Sequence, residues 1–132
     1  MSEGIDRREV AGVEILSYRG EGYQPLVSFN NWRVAVIRYM NRLDHSRFSR
    51  LERHLLTDEV FILLSGAATL VIGMQLQSVP MEPERVYNVR KGVWHGICLS
   101  GDACVAVMEN DNTGAANTEY ITLEKSVHIE GV

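Results

Sequence analysis

Short apolar and β-branched runs recur along this chain of 132 residues, each closed by glycine, proline, asparagine or a charged turn. "VEILSY" (13–18) reads as a first strand, ended by "RGEG". "WRVAVIRYM" (32–40) follows, and "HSRFSRLERHLL" (45–56) alternates in period two. "VFILLSG" and "ATLVIG" flank Gly66 in the manner of a hairpin, and "QLQSVPMEPE" (75–84), with two prolines, reads as a loop. "RVYNV", "WHGICL", "ACVAVM" and "EYITL" complete the set, with "DNTGAANT" (111–118) as a further loop. Helix periodicity is scarce. Roughly nine strands at a spacing of about 8–12 residues predict an all-β sandwich or barrel.

Nothing resembling a linker divides the strands, so one domain is expected. Its parts are an N-terminal strand and lead-in (1–31), a barrel (32–124) and a C-terminal tail (125–132). A net charge of −4 argues against a nucleic-acid partner, since phosphates demand a basic surface. Arg38, Arg42, Arg47, Arg50 and Arg53 are a local exception, read as a solvated face plus loop rather than a polyanion site because Asp44 and Glu52 interrupt them. No apolar run approaches about 18 residues, so no membrane partner is expected, and "MSEGIDRREV" lacks the apolar core of a secretory leader. Cys98 and Cys104 form no CxxC pair and read as small core residues in a reduced, cytoplasmic compartment.

The chemistry concentrates in "ERHLLTDEVFILLSG" (52–66), where a histidine and acids precede an apolar run. Buried charges are costly unless they are paired, hydrogen-bonded or bound to a metal. Glu52 and His54 point the same way on an extended strand, about 6.6 Å apart at ~3.3 Å per residue. Glu59 shares a face with Phe61 and Leu63, which turns it inward and Asp58 outward. In "VRKGVWHGICL", Gly92 permits a tight turn, and His95 shares its face with Ile97 and Leu99. Trp94 then faces outward. His45 and His128 lie outside these stretches and read as exposed loop or tail residues. Arg50 shares the face of Glu52 and His54. Its planar fork suits a carboxylate or phosphate, while an ion pair with Glu52 or a turn out to solvent is the alternative.

These stretches resemble the two motifs of the cupins. His54, four residues, Glu59, six residues and Gly66 match the first motif, and Gly92 with His95 matches the second. The likeness covers about residues 32 to 110. It implies a jelly-roll barrel, also called a double-stranded β-helix, with a metal held inside by three histidines and a glutamate. Carried over, His54, Glu59 and His95 are metal ligands. Glu52 stands where the family has another histidine. Arg90 replaces the second motif's proline, Glu84 its leading glycine and Leu99 its asparagine.

His54, His95 and Glu59 still make a two-histidine, one-carboxylate set, and Glu52 is available as a fourth ligand or as a general base. The expected cofactor is a divalent ion, Fe or Mn first, then Zn or Ni. The resulting expectation is a metal-dependent cupin acting on a small polar or anionic metabolite, as isomerase, lyase or dioxygenase, with Arg50 and Phe61 as substrate contacts. The alternative is a non-catalytic binding module with a degenerate metal site. A homodimer is expected to form through the apolar "WRVAVI" face.

Overall fold

The computed structural model describes residues 3–131, and these carry twelve strands. The first two, β1 (Ile5–Val10) and β2 (Val13–Tyr18), form an antiparallel hairpin of their own. It turns through Ala11 and Gly12, both at positive φ. Strand β1 gives little apolar signal because five of its six side chains are exposed; full register with β2 and the Arg7–Glu14 ion pair hold it instead.

Two five-stranded sheets build the barrel. One sheet has the order β3 (Gly22–Phe29), β4 (Trp32–Arg38), β11 (Cys104–Asn110), β6 (Glu59–Ser65), β9 (Tyr87–Val89). The other runs β12 (Thr118–Val127), β5 (Phe48–His54), β10 (His95–Leu99), β7 (Ala68–Ile72), β8 (Gln77–Pro80). The barrel therefore takes in β3, ahead of the boundary expected at residue 32, and β12 runs past residue 124. Ala35, Phe61 and Val107 from the first sheet pack with Leu70, Ile97 and Leu99 from the second. Apolar burial between the sheets is the main stabilising term.

Both outer faces are covered in part. Tyr18 and Ile5 of the N-terminal hairpin pack on Val36 and Cys104. Of the "WRVAVI" face anticipated as a subunit patch, Val36 is covered by the chain itself, Val34 is half-buried and Trp32 is left exposed beside Phe29. On the other sheet, Ile129 packs with Leu51, Val71 and Cys98. Both cysteines are buried and unpaired, as expected. Burial pushes the Cys98 thiol up to about 12. No helix among the described residues is long and apolar enough to cross a membrane.

Two local expectations need correction. The runs around Gly66 do not pair: β6 lies in one sheet and β7 in the other. Gly66, at φ 70°, turns the chain across the edge, where a Cβ would sit 2.6 Å from the Ala103 Cα. The segment 75–84 is not all loop, since β8 pairs with β7 at the sheet edge. Pro80 is tolerated there because an edge strand has one unpaired side.

Gly92, at φ 83°, has open space where a Cβ would go. Its N–H donates to the His54 carbonyl at 2.8 Å, tying the second histidine stretch to the first. Alanine at Gly92 therefore meets only backbone strain of about 1–2 kcal/mol, whereas alanine at Gly66 adds a clash with fixed backbone. Urea unfolding is expected to show Gly66→Ala as the more destabilised of the two. Equal losses would contradict the packing of the Gly66 turn.

Candidate metal centre

Four strands bring their polar residues to one end of the barrel. Glu52 and His54 come from the end of β5, Glu59 opens β6, His95 opens β10, and Glu109 lies near the end of β11. Cross-strand pairing sets His95 opposite Glu52 and Glu109 opposite Arg33. Alternation along β5 turns Arg50, Glu52 and His54 toward a common cavity of about 250 Å³, which Glu59, Phe61 and His95 also line. The six site residues expected from sequence therefore meet in one space. Asp58 faces away, accepting hydrogen bonds from the Lys91 N–H at 2.8 Å and the Asn88 amide at 3.1 Å.

The centre of the cluster is a single oxygen. Glu59 Oε1 lies 2.9 Å from His54 Nε2 and 2.8 Å from His95 Nε2. His95 Nδ1 lies 2.9 Å from the Val93 carbonyl, which can only accept, so this nitrogen carries a proton. In neutral His95, Nε2 is then a bare lone pair facing a carboxylate oxygen. With Glu59 ionised, as its lowered pKa requires near neutral pH, that contact is favourable when His95 is an imidazolium or a cation lies among these atoms. His54 Nδ1 is held in turn by Thr118 Oγ1 at 3.0 Å. Such fixing of the outer ring nitrogen is how metal-binding histidines are oriented.

Glu109 gives the second test of fit. Its Oε2 accepts from the Tyr23 hydroxyl and from Arg33 Nε and Nη2, at 3.2 and 3.0 Å for the arginine. Arg33 is itself pinned to the Asp111 and Thr113 carbonyls at 3.2 and 2.9 Å. The other oxygen, Oε1, is buried without a hydrogen-bond partner and sits 3.9 Å from His54 Nε2. A buried acceptor left unmatched is costly, and either a cation or a proton shared with Glu59 would match it. Glu52 Oε2 is 3.4 Å from the same nitrogen, but its side chain is 32% exposed against 3% for Glu109. Two overlapping donor sets, Glu52–His54–His95 and His54–Glu59–Glu109, each lie within 4.8 Å. The donor set fits a divalent ion.

Burial alone would raise the Glu59 pKa, but hydrogen bonds from His54 and His95 outweigh it and bring the carboxyl down to about 2. Burial likewise opposes charge on His54 and His95, yet the Glu59 carboxylate raises both above the usual histidine value. Burial raises Glu109, with the nearby Glu59 charge adding to it, and Tyr23 and Arg33 only partly compensate. Burial and Glu109 push Tyr23 upward too.

Three residues of this cluster escape motif reading: Glu109, Arg33 and Tyr23. One signal was present for Glu109, because alternation in "ACVAVMEN" puts it on the face of Val105 and Val107, both buried. Trp94 packs into the outer-face cluster, with the Arg53 guanidinium 4.6 Å from its ring centroid, as an outward orientation requires. His128 is exposed as expected, but His45 is not a free loop residue. It is half-buried, 3.0 Å from Thr69 Oγ1, and stacked near Gly131, because the C-terminal segment folds over it. Arg50 makes no ion pair with Glu52; its guanidinium lies 4.6 Å from the Tyr120 ring centroid.

No family model and no curated protein matches the chain. Solved structures do. Streptomyces Pac13, described as a unique nucleoside dehydratase, is similar in its form with uridine at a TM-score of 0.58 and 9% identity, over 95% of this chain and 88% of that one. A cupin-2 domain protein of Shewanella frigidimarina gives 0.55 at 18% identity, over 70% and 84%. KdgF from Halomonas gives 0.53 at 13% identity, over 80% and 84%. The chain has the cupin fold.

The cluster's charges set a pH window for metal-free protein. The raised histidines stabilise fully below their unfolded value of 6.5, and that contribution is lost as pH rises through their higher folded values. The lowered Glu59 stabilises above its unfolded value of 4.5, and that contribution is lost as pH falls toward about 2. Chelator-treated protein is expected to melt at its highest temperature between these two values. A Tm that keeps climbing to about pH 8 would contradict the His54–Glu59–His95 ion pairing.

Proposed function

We propose that this chain is a metal-dependent enzyme that acts on a small polar or anionic metabolite inside the barrel. The observation that carries the reading is the meeting of two oriented imidazoles and the Glu59 carboxylate beside the unmatched Oε1 of Glu109. His54, Glu59 and His95 would hold the ion, with Glu109 as a buried fourth donor. The oxygen-rich set favours Fe(II) or Mn(II) over Zn(II) or Ni(II). When bound, the ion supplies Lewis-acid polarisation of a substrate carbonyl or hydroxyl.

The protein's own groups divide the remaining work. Arg33 and Tyr23 fix Glu109, and Thr118 and the Val93 carbonyl fix the two rings. Phe61 packs its ring on His95, centroids 5.9 Å apart, and screens that side of the cluster from water. Glu52, partly open to the cavity, is positioned to take a proton from bound substrate. A free carboxylate base beside the ligand set favours an isomerase or lyase over a dioxygenase, which needs no such group. Pac13's description as a nucleoside dehydratase supports small-molecule chemistry on this fold, although fold by itself selects no reaction. The cavity suits a compact metabolite, being smaller than the roughly 300–1,000 Å³ of drug-sized sites.

A second reading follows from the same oxygen. If His54 and His95 both stay protonated on Glu59, the cluster is closed without metal, and the barrel is a binding module. Buried, unpaired Cys98 and Cys104 fit a cytoplasmic setting. A homodimer would use the exposed Phe29–Trp32 pair, whose ring centroids are 6.3 Å apart.

Metal analysis separates the two readings. After reconstitution with Fe(II) or Mn(II), wild-type protein is expected to hold close to one equivalent, and His54→Ala to lose it. Glu109→Gln is expected to weaken binding by roughly 10–100-fold. Glu52→Gln is expected to keep the metal. Wild-type protein that takes up no metal would favour the binding module.

A further inference from the structure

The arginine run read from sequence as a solvated face is divided by the fold. Arg53 turns outward onto Trp94 and pairs with Glu119. Arg38 reaches the Tyr18 carbonyl at 3.3 Å. Arg42 and Arg50 instead line the cavity that holds the metal cluster. Arginine ion pairs among the described residues belong to Arg7, Arg33 and Arg53, so these two guanidiniums stand without a carboxylate partner.

Their placement is not casual. Arg42 sits on the 3-10 helical turn Asn41–Leu43, anchored by Leu43, which is buried in the core. Arg50 is held over the Tyr120 ring, a contact that steadies the guanidinium plane while leaving its N–H groups unpaired. Arg42 is exposed to solvent on its turn, yet partial desolvation and the Arg50 charge lower it from the ordinary arginine value, with Glu52 and Tyr120 offsetting them only in part. Two like charges are thus brought together at a site that an anion would relieve. Around the metal cluster the cavity carries Glu52, Glu59 and Glu109, the last paired with Arg33, while Arg42 and Arg50 are its cations without a carboxylate partner. His54 and Arg50 are four residues apart on β5, about 13 Å along the strand at ~3.3 Å per residue.

We propose that Arg42 and Arg50 clamp a dianionic head group, a phosphate monoester or a second carboxylate, at the end of the metabolite remote from His54, Glu59 and His95. This rests on the metabolite-binding reading above but not on the presence of metal. It narrows the substrate to a compact molecule with a polar reacting end and a doubly charged far end. Planar, forked donors recognise both phosphate and carboxylate bidentately.

The test is calorimetric titration with inorganic phosphate, malonate and acetate, on metal-loaded and on chelator-treated protein. Phosphate or malonate is expected to bind both forms, and acetate at least about tenfold more weakly. Phosphate tighter than malonate assigns a phosphoryl head, and the reverse order assigns a dicarboxylate. Arg42→Met and Arg50→Met are each expected to weaken the dianion roughly tenfold with metal content unchanged. Loss of metal from wild type with phosphate binding intact would remove the metal reading and leave the clamp. Dianion binding that is absent, confined to metal-loaded protein, or unchanged in the Arg42→Met/Arg50→Met double variant would overturn the clamp.

Discussion

One carboxylate oxygen, Oε1 of Glu59, organises the interior of this barrel. Reaching across from the opposite sheet, it lies within 3 Å of the Nε2 atoms of His54 and His95, which stand on neighbouring strands. An unpaired carboxylate at this depth would cost several kcal/mol. The imidazoles offset that cost, and their outer nitrogens are held by Thr118 and Val93, so both rings are fixed. A shell of this kind orients ligands before any ion arrives. The barrel supplies rigidity, since His54, Glu59 and His95 all sit at strand ends rather than in loops.

Charge is distributed around that oxygen in a graded way. Glu109 lies closest among the additional acids in burial, and its pairing with Arg33 and Tyr23 fixes one oxygen while leaving the other turned toward His54. Glu52 is more open. Further along the same strand the sign reverses at Arg50, joined by Arg42 from the neighbouring turn. If Arg42 and Arg50 hold one end of a metabolite as proposed, the cavity would bind an asymmetric molecule in one orientation.

Much of this was legible in the chain. Period-two alternation on β5 was enough to align Arg50, Glu52 and His54, and the same rule chose Glu59 over Asp58. The likeness of the two histidine stretches to the cupin motifs implied the barrel. Pairing between strands was not legible. The runs either side of Gly66 look like a hairpin because each is apolar, yet the backbone of Ala103 occupies the space beside the turn and the strands part to different sheets. Arg33 reaches Glu109 only through the β4–β11 register, which joins residues 76 apart in sequence. Arg42 lines the cavity from a short helical turn packed near β10, which no local pattern announces. Strand β1 was missed since pairing, not burial, sustains it.

We propose that His54, Glu59 and His95 share one divalent ion. Anomalous diffraction from crystals of Mn(II)- or Fe(II)-loaded protein tests it most directly. A single peak is expected within bonding distance of both Nε2 atoms and the Glu59 carboxylate, with Glu109 turned toward it. A map without that peak, in which Glu59 still bonds both imidazoles directly, would contradict it.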